Sequence, residues 1–230
     1  MTDLSFHRQI LAKILKDFFE DPDISGLVGF KGGTAAYMFY GLPRLSIDLD
    51  FDMIKPELPD TAFQKIGNIL MKYGTIKDMH EKRYSFLWEL SYRKNSPRLK
   101  VEINKRNFGS SFEIKYYLGI PLRVMVKKDI FANKLVAMYE RECKANRDIF
   151  DVHYFLDNGW EINEDIIKVR TKLNTETIMK NLISLLKKKS ASRILSGLGD
   201  LLDDDKKKWA KSNLIKDTIF LLNLYVKNRN

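Results

Sequence analysis

Cysteine is almost missing from this 230-residue chain, where Cys143 stands alone. One thiol cannot build an intramolecular disulfide framework, which fits a reducing compartment. Histidine is scarce as well. His7, His80 and His153 are scattered, and with a single Cys they offer no zinc-ligand spacing. No run of ~18 apolar residues is present to span a bilayer. The opening MTDLSFHRQI has neither the basic start nor the apolar core of a secretory signal. A cytoplasmic protein with no membrane partner is therefore expected. Two phosphate-binding signatures are also missing, the Walker lysine motif and the kinase-type glycine loop, which argues against an ordinary ATPase or kinase. Internal repeats and low-complexity linkers are absent too.

What is present reads as a soluble globular chain. Hydrophobic residues make up 44% and charged residues 30%, and the length allows one large domain or two small ones with a real core. The net charge is +10, and its placement is uneven. Sixteen of the 40 Lys and Arg but only six of the 30 Asp and Glu fall between Lys82 and Arg147, leaving 24 of each sign elsewhere. A surplus concentrated in this way points to a polyanion partner, either nucleic acid or nucleotide. The plainer reading is a basic solvated surface, and charge alone does not separate the two.

Periodicity then organises the chain. Phe6, Ile10, Ile14, Leu15 and Phe18 recur at helical spacing and predict an amphipathic helix over Leu4–Glu20, ended by Asp21-Pro22-Asp23. Gly26–Phe30 reads as a short apolar strand and Ser46–Ile54 as a second strand. Between them, Thr34–Tyr40 is a helical turn or two, closed by Gly41-Leu42-Pro43. A loop over Lys55–Pro59 leads to an amphipathic helix over Asp60–Tyr73, closed by Gly74. Alternation and β-branched or aromatic content predict strands over Tyr84–Tyr92, Leu99–Asn104, Phe112–Tyr117 and Leu122–Val126, with a turn at Asn95-Ser96-Pro97. From Lys128 onward the pattern is helical, over 129–142, 147–156, 162–172, 175–189 and 213–227, with 190–205 less regular. The change from mixed α/β to all-α near Gly159 is the expected domain boundary.

The chain is organised around FKGGTAAYMFYGLPRLSIDLDFDM, residues 30–53. A glycine pair that closes a strand and opens a helix lets backbone N–H groups approach an anion, and the helix N-terminus favours negative charge. Asp48 and Asp50 are two apart, so on a strand both carboxylates share a face. Two hard oxygen donors suit Mg²⁺, which takes one or two carboxylates together with substrate phosphates. D-x-D alone is mostly solvated acids, and Gly-Gly alone is mostly a turn. The order strand, GG, helix, strand, D-x-D is a working geometry for phosphoryl chemistry, which needs metal ions to clamp the attacking and leaving oxygens.

A third carboxylate is offered by Glu102, a lone acid in an apolar-flanked strand; its plainer role is to pair with Lys100 or Lys105. Lys134 lies on a helix with Arg141 two turns on, and Asp148 and Asp151 share a face three positions apart. Lys134 reads either as a triphosphate cation or as an exposed helix lysine. Asp148 reads as a helix-start acid facing the dipole, and also as a group holding Lys134 or an Arg in place. His153 follows Asp151 by two positions and leaves that face. Tyr84, Trp88 and Tyr92 among basic residues are able to stack bases, though strand core is the commoner fate. Asp203-Asp204-Asp205 before three lysines reads as a solvated helix start.

Taken together, KGGTAAYMFYGLPRLSIDLDFD resembles the first motif of the AbiEii-type nucleotidyltransferase toxins, related to the MenT toxins, in the DNA polymerase β-like nucleotidyltransferase superfamily. GG-T, YG, R-x-S and D-x-D-F occur together and in order. The segment from Lys134 through RDIFDVHYFL resembles the family's helical lysine and Arg-Asp motifs. The resemblance covers roughly residues 27–156. It implies an α+β fold, with a mixed nucleotidyltransferase-type sheet flanked by helices and followed by a C-terminal helical bundle. The corresponding domains are 1–158 and 159–230. It implies Mg²⁺-dependent transfer of a nucleoside monophosphate from an NTP to RNA, with the 3′ end of tRNA as the expected acceptor, by a toxin that has a cognate antitoxin.

Residue by residue, the resemblance places Gly32, Gly33 and Thr34 at the phosphate-facing turn, Asp48 and Asp50 at the metal pair, and Ser46 at a hydroxyl position beside it. Lys134 matches the triphosphate-contacting lysine, Asp148 the acid of the Arg-Asp motif, and Glu102 the third metal carboxylate. Arg44 and Ser46 are expected to position the acidic strand at the nucleotide, and the basic region between Lys82 and Arg147 to receive the RNA. Two alternatives stand beside this: the same chemistry on a small hydroxylated acceptor such as an aminoglycoside, and a non-catalytic nucleotide- or RNA-binding protein of the same fold.

Overall fold

A computed structural model describes residues 4–55, 59–94 and 98–228. The turn expected at Asn95-Ser96-Pro97, and most of the loop expected over 55–59, lie outside the described residues. The chain forms two compact units. One comprises residues 1–39 and 46–125, the other residues 40–45 and 126–230.

The first unit is built on one mixed sheet. Its strands are β1 (Val28–Lys31), β2 (Leu49–Met53), β3 (Thr75–Glu81), β4 (Ser85–Ser91), β5 (Leu99–Asn104), β6 (Phe112–Tyr117) and β7 (Ile120–Met125), in the order β3-β4-β5-β2-β1-β7-β6. β2 runs parallel to β5 and β1 parallel to β7, while the other neighbours are antiparallel. Helices α1 (Leu4–Glu20), α2 (Pro22–Ser25), α3 (Gly32–Tyr40) and α4 (Asp60–Met71) accompany the sheet. The helical stripe of α1 is buried as its spacing predicts, with Ile10, Ile14, Leu15 and Phe18 in the core and Phe18 against Phe51, which also meets Phe30. Alternation along β2 sends Leu49, Phe51 and Met53 to that core, so Asp50 and Asp52 take the other face.

The strand over Thr75–Glu81 has no counterpart in the sequence reading. It is an edge strand paired only to β4, mostly exposed, with a register shift between Ile76 and Asp78. With a single neighbour it needs no apolar face, so it carries no alternation to read. The second strand starts at Leu49 rather than Ser46.

The second unit is helical: α5 (Lys127–Glu140), α6 (Asn146–Asp157), α7 (Glu164–Thr171), α8 (Thr175–Lys188), α9 (Asp204–Ser212) and α10 (Leu214–Lys227). α5 packs on α6, α7 and α8, and α10 packs on α6 and α8. Phe155 stacks on Trp160 at 4.1 Å between ring centroids and meets Phe131 edge-on. Helices before and after Gly159 therefore share one core, and that residue lies inside the second unit. Asp203 caps α9 by accepting from the Lys206 N–H at 2.9 Å, the helix start its acid run predicts. Among the described residues, no helix is long and apolar enough to cross a membrane.

Candidate active site

In the first unit, β1 delivers Lys31 and then turns at Gly32 into α3. Gly32 has φ of +80°, and a Cβ there would lie 2.6 Å from Asp50 Oδ2. A side chain is thus excluded twice, by backbone conformation and by the acid behind it. Gly33 and Thr34 follow in the first turn of α3, whose leading N–H groups have no intrahelical acceptor. Thr34 is buried. Its hydroxyl shares a hydrogen bond with Ser46 Oγ at 2.8 Å and donates to the Asp48 carbonyl. The helix start is therefore tied directly to the start of the acidic strand.

Strand register sets the rest of this face. Asp50 lies opposite Lys31 on β1 and Glu102 on β5, and Asp52 lies opposite Asn104. Lys31 Nζ pairs with Asp52, whose Oδ1 also accepts from Asn104 Nδ2 at 2.9 Å. Lys100 Nζ pairs with Glu102. Burial works against ionisation of Glu102, but the Lys100 hydrogen bond and charge, helped by the Ser85 hydroxyl and Lys31, outweigh it and hold the carboxyl below its ordinary value. Asp50 has no ion-pair partner within bonding distance among the described residues.

His7 on α1 fixes the approach to this strand. It is 1% exposed, with Nε2 3.0 Å from the Ile47 carbonyl and Nδ1 2.6 Å from the Tyr92 hydroxyl. A carbonyl only accepts, so Nε2 carries the proton and Nδ1 accepts from Tyr92. Burial lowers the His7 pKa against the opposing pull of the Ile47 carbonyl, which keeps the ring neutral.

This donor set fits Mg²⁺ in one form only. Among the described residues, no three acidic, histidine or cysteine side chains surround a common point able to hold an ion. The Asp50 carboxylate beside the Gly32 turn, with Asp48 two residues before it, would suit an ion completed by water and substrate phosphates rather than by a protein cage. Lys100 holds Glu102 Oε2, so a third-ligand role for Glu102 would fall to its other oxygen or need that pair to open.

The second unit holds a different cluster. Arg44, 3% exposed, grips the buried Asp151 with two bonds, Nε to Oδ1 at 2.5 Å and Nη2 to Oδ2 at 2.7 Å. Lys134 Nζ lies 3.0 Å from Asp148 Oδ1 and 3.1 Å from Asp151 Oδ2. Arg141 Nη1 donates to Asp148 Oδ2 at 2.7 Å. Burial raises the Asp148 carboxyl, but Lys134 and Arg141 overcome this and bring it below its ordinary value. Burial likewise pulls Lys134 down, and Asp151 and Asp148 reverse that and raise it. The α5–α6 pairing assembles the cluster, and the helical spacing of 148 and 151 aims both acids at one lysine.

The model of the nucleotidyltransferase AbiEii toxin family, of the type IV toxin–antitoxin systems, matches residues 13–212. The chain belongs to this family. It is a nucleotidyltransferase, and type IV membership implies an antitoxin partner. Two solved structures from Helicobacter pylori share its fold. One is a proposed nucleotidyltransferase, at a TM-score of 0.62 and 21% identity over 99% of this chain and 97% of the other. The second is the protein JHP933, at a TM-score of 0.60 and 21% identity over 99% and 94%. No curated protein matches the sequence.

Within this AbiEii-family chain, the predicted residues fall into two groups. Gly32, Gly33, Thr34, Ser46, Asp48, Asp50 and Glu102 meet in the first unit, whereas Arg44, Lys134 and Asp148 belong to the second. Arg44 reaches Asp151, a residue the sequence reading placed on the right helix face without assigning it a partner. Asp52, Asn104 and His7 were also passed over. Strand alternation from Asp50 points to Asp52, but nothing local marks a buried histidine 40 residues from the carbonyl it holds. His153 packs against Trp209, with 4.8 Å between ring centroids.

Proposed function

We propose that the chain transfers a nucleoside monophosphate from an NTP to an RNA acceptor, with the 3′ end of tRNA as the modified group and Mg²⁺ as the required ion. The observation that carries this is the contact of the Gly32 turn with the Asp50 carboxylate, together with the Thr34 tie to Ser46 and Asp48. The start of α3 is tied to the segment leading into the strand that carries Asp50, within one unit.

In this reading the N–H groups of Gly33 and Thr34 receive the triphosphate. The Thr34 hydroxyl is engaged inside the protein, so its part is to hold the turn against the acidic strand. Asp48 and Asp50 supply the ion's carboxylates. When bound, Mg²⁺ neutralises phosphate charge and orients the displacement. Glu102 completes the acidic set or takes the acceptor hydroxyl's proton. The resemblance assigns Lys134 to the triphosphate; within the second unit its ammonium is held by Asp148 and Asp151, and Arg44 braces Asp151.

The experiment is a labelling assay. Purified protein is incubated with Mg²⁺, total tRNA and each labelled NTP in turn, beside Asp48→Ala. Label entering tRNA with the wild type only is the expected result. Label that enters small hydroxylated acceptors and never tRNA would move the assignment to those acceptors. Label that persists in Asp48→Ala would remove the acidic strand from the mechanism.

A further inference from the structure

The chain's basic surplus has a focus in the first unit that the transfer chemistry does not use. β3 and β4 are joined through Lys82, Arg83 and Tyr84, and β5 runs on into Lys105, Arg106 and Phe108. The Lys105 N–H donates to the Tyr84 carbonyl at 2.9 Å, which holds the two segments side by side. Tyr84 is 47% exposed. The Arg83 guanidinium carbon lies 5.0 Å from its ring centroid, and that of Arg106 lies 5.2 Å from the same ring and 5.3 Å from the Phe108 ring. Of the three aromatic residues the sequence offered for stacking, Trp88 is fully buried and Tyr92 is bonded to His7. Tyr84 is the most exposed of these three.

The charges are positioned for a ligand. Lys105 is paired with Glu81 at 2.6 Å. Among the described residues, no acid pairs with Lys82, Arg83 or Arg106, and all three are exposed. Arg106 is held in place nonetheless. Asn104 Nδ2 donates to the Arg106 carbonyl at 2.9 Å and Asn104 Oδ1 accepts from Arg106 Nε at 3.3 Å, while the same amide bonds Asp52. A half-exposed ring flanked by two guanidiniums, with a third cation beside it, is complementary to unstacked bases joined by phosphates. A folded protein partner would find little apolar surface here, and a duplex offers no base face to the ring.

We infer that Tyr84, Arg83, Arg106 and Lys82 bind a single-stranded segment of the RNA acceptor. This rests on the RNA-acceptor reading above and extends it. The cluster follows the C-terminal end of β5, on the side of Asn104 away from Glu102. Arg106 lies two residues beyond the end of β5 and four from Glu102, an extended reach of about 13 Å, so the cluster engages RNA away from the reacting end. It therefore governs acceptor affinity and not NTP affinity.

The test measures binding of a fluorescein-labelled oligouridylate and of tRNA by anisotropy, over a series of salt concentrations, with NTP affinity measured separately. Tyr84→Ala is expected to weaken RNA binding roughly 5- to 100-fold, the loss of one base stacked on an aromatic ring, and Tyr84→Phe to retain it. Arg83→Gln with Arg106→Gln is expected to reduce the salt slope by about 1 to 2. NTP affinity stays at the wild-type value in all three. Tyr84 is half exposed, so its truncation opens no core, and the arginine pair provides the same test without touching the ring. Wild-type RNA affinity in both Tyr84→Ala and the double variant overturns the site and leaves the RNA-acceptor reading standing. A wild type that labels acceptors yet binds neither RNA probe overturns the RNA-acceptor reading along with it.

Discussion

The acidic face of the first unit and the ion network of the second differ in how their charges are used. Around Asp151 every charge is matched inside the protein: Arg44 clasps it twice, Lys134 lies between it and Asp148, and Arg141 completes the set. On the sheet, Lys31 answers Asp52 and Lys100 answers Glu102, but Asp50 lies beside a glycine turn with no ion-pair partner among the described residues. A closed network resists rearrangement and fixes geometry. A carboxylate without an ion-pair partner, beside a helix start whose leading N–H groups lack intrahelical acceptors, is left for a charged ligand. The two clusters carry acids of the same kind for opposite purposes, and substitutions separate them.

The largest contrast is expected from the acids themselves. Asp48→Ala or Asp50→Ala should cut nucleotidyl transfer by at least about 100-fold, since even the outer partners of metal ligands cost 10- to 100-fold, with thermal stability near wild type. Asp151→Ala should do the reverse to stability, by removing the carboxylate that the buried Arg44 grips and that Lys134 also faces. That costs about 3–5 kcal/mol, or a fall in Tm of roughly 6–20 °C for a protein of this size. A scanning calorimetry trace for Asp151→Ala that overlays the wild type would show that the network is not what holds the second unit together.

Gly32→Ala lies between these cases. It forces an L residue to φ of +80° and drives a methyl into Asp50 Oδ2, so a loss of about 1–2 kcal/mol from the backbone alone is expected, together with loss of transfer as Asp50 is displaced. Denaturant melts and labelling measured side by side detect both. If both quantities are unchanged, Gly32 is not locked against Asp50.

Glu102→Gln sharpens the comparison on the sheet. A metal-holding Glu102 predicts a Mg²⁺ requirement raised about 10-fold or more. A residue that only pairs Lys100 on a half-open face predicts an unchanged Mg²⁺ requirement and a stability change below about 1 kcal/mol. A magnesium titration of initial rate distinguishes them.

The smallest effect is in pH. Asp148 is held below its ordinary value of 3.8 in the fold, so its contribution to stability is complete above that value and is lost as pH falls through the lower folded one. Acid melts of Asp148→Asn should show a shallower decline than the wild type below about pH 4. Equal slopes would mean that other carboxylates govern acid unfolding.

Much of this was readable along the chain. α1, α4 and the strands β4 to β7 announce themselves by period, because a buried face must repeat with the geometry of its element. The glycine turn into α3 was legible for a related reason: it is local to one helix start. The edge strand Thr75–Glu81 was not, since it buries almost nothing and owes its form to hydrogen bonds with β4.

By itself, then, the sequence determined which residues could form the Gly32 turn, and i to i+2 geometry set which acids could share a strand face; the strand begins at Leu49, so Asp50 and Asp52 share it and Asp48 precedes it. It also set an all-helical second half. Only the tertiary structure decided what those charges meet. Arg44 finds Asp151 across 107 residues, Asn104 reaches Asp52 across 52, and His7 reaches Ile47 across 40. No local period encodes such pairings. They form because a charge or amide removed from water must find a partner, and the partner available is set by which elements the apolar core has already brought together.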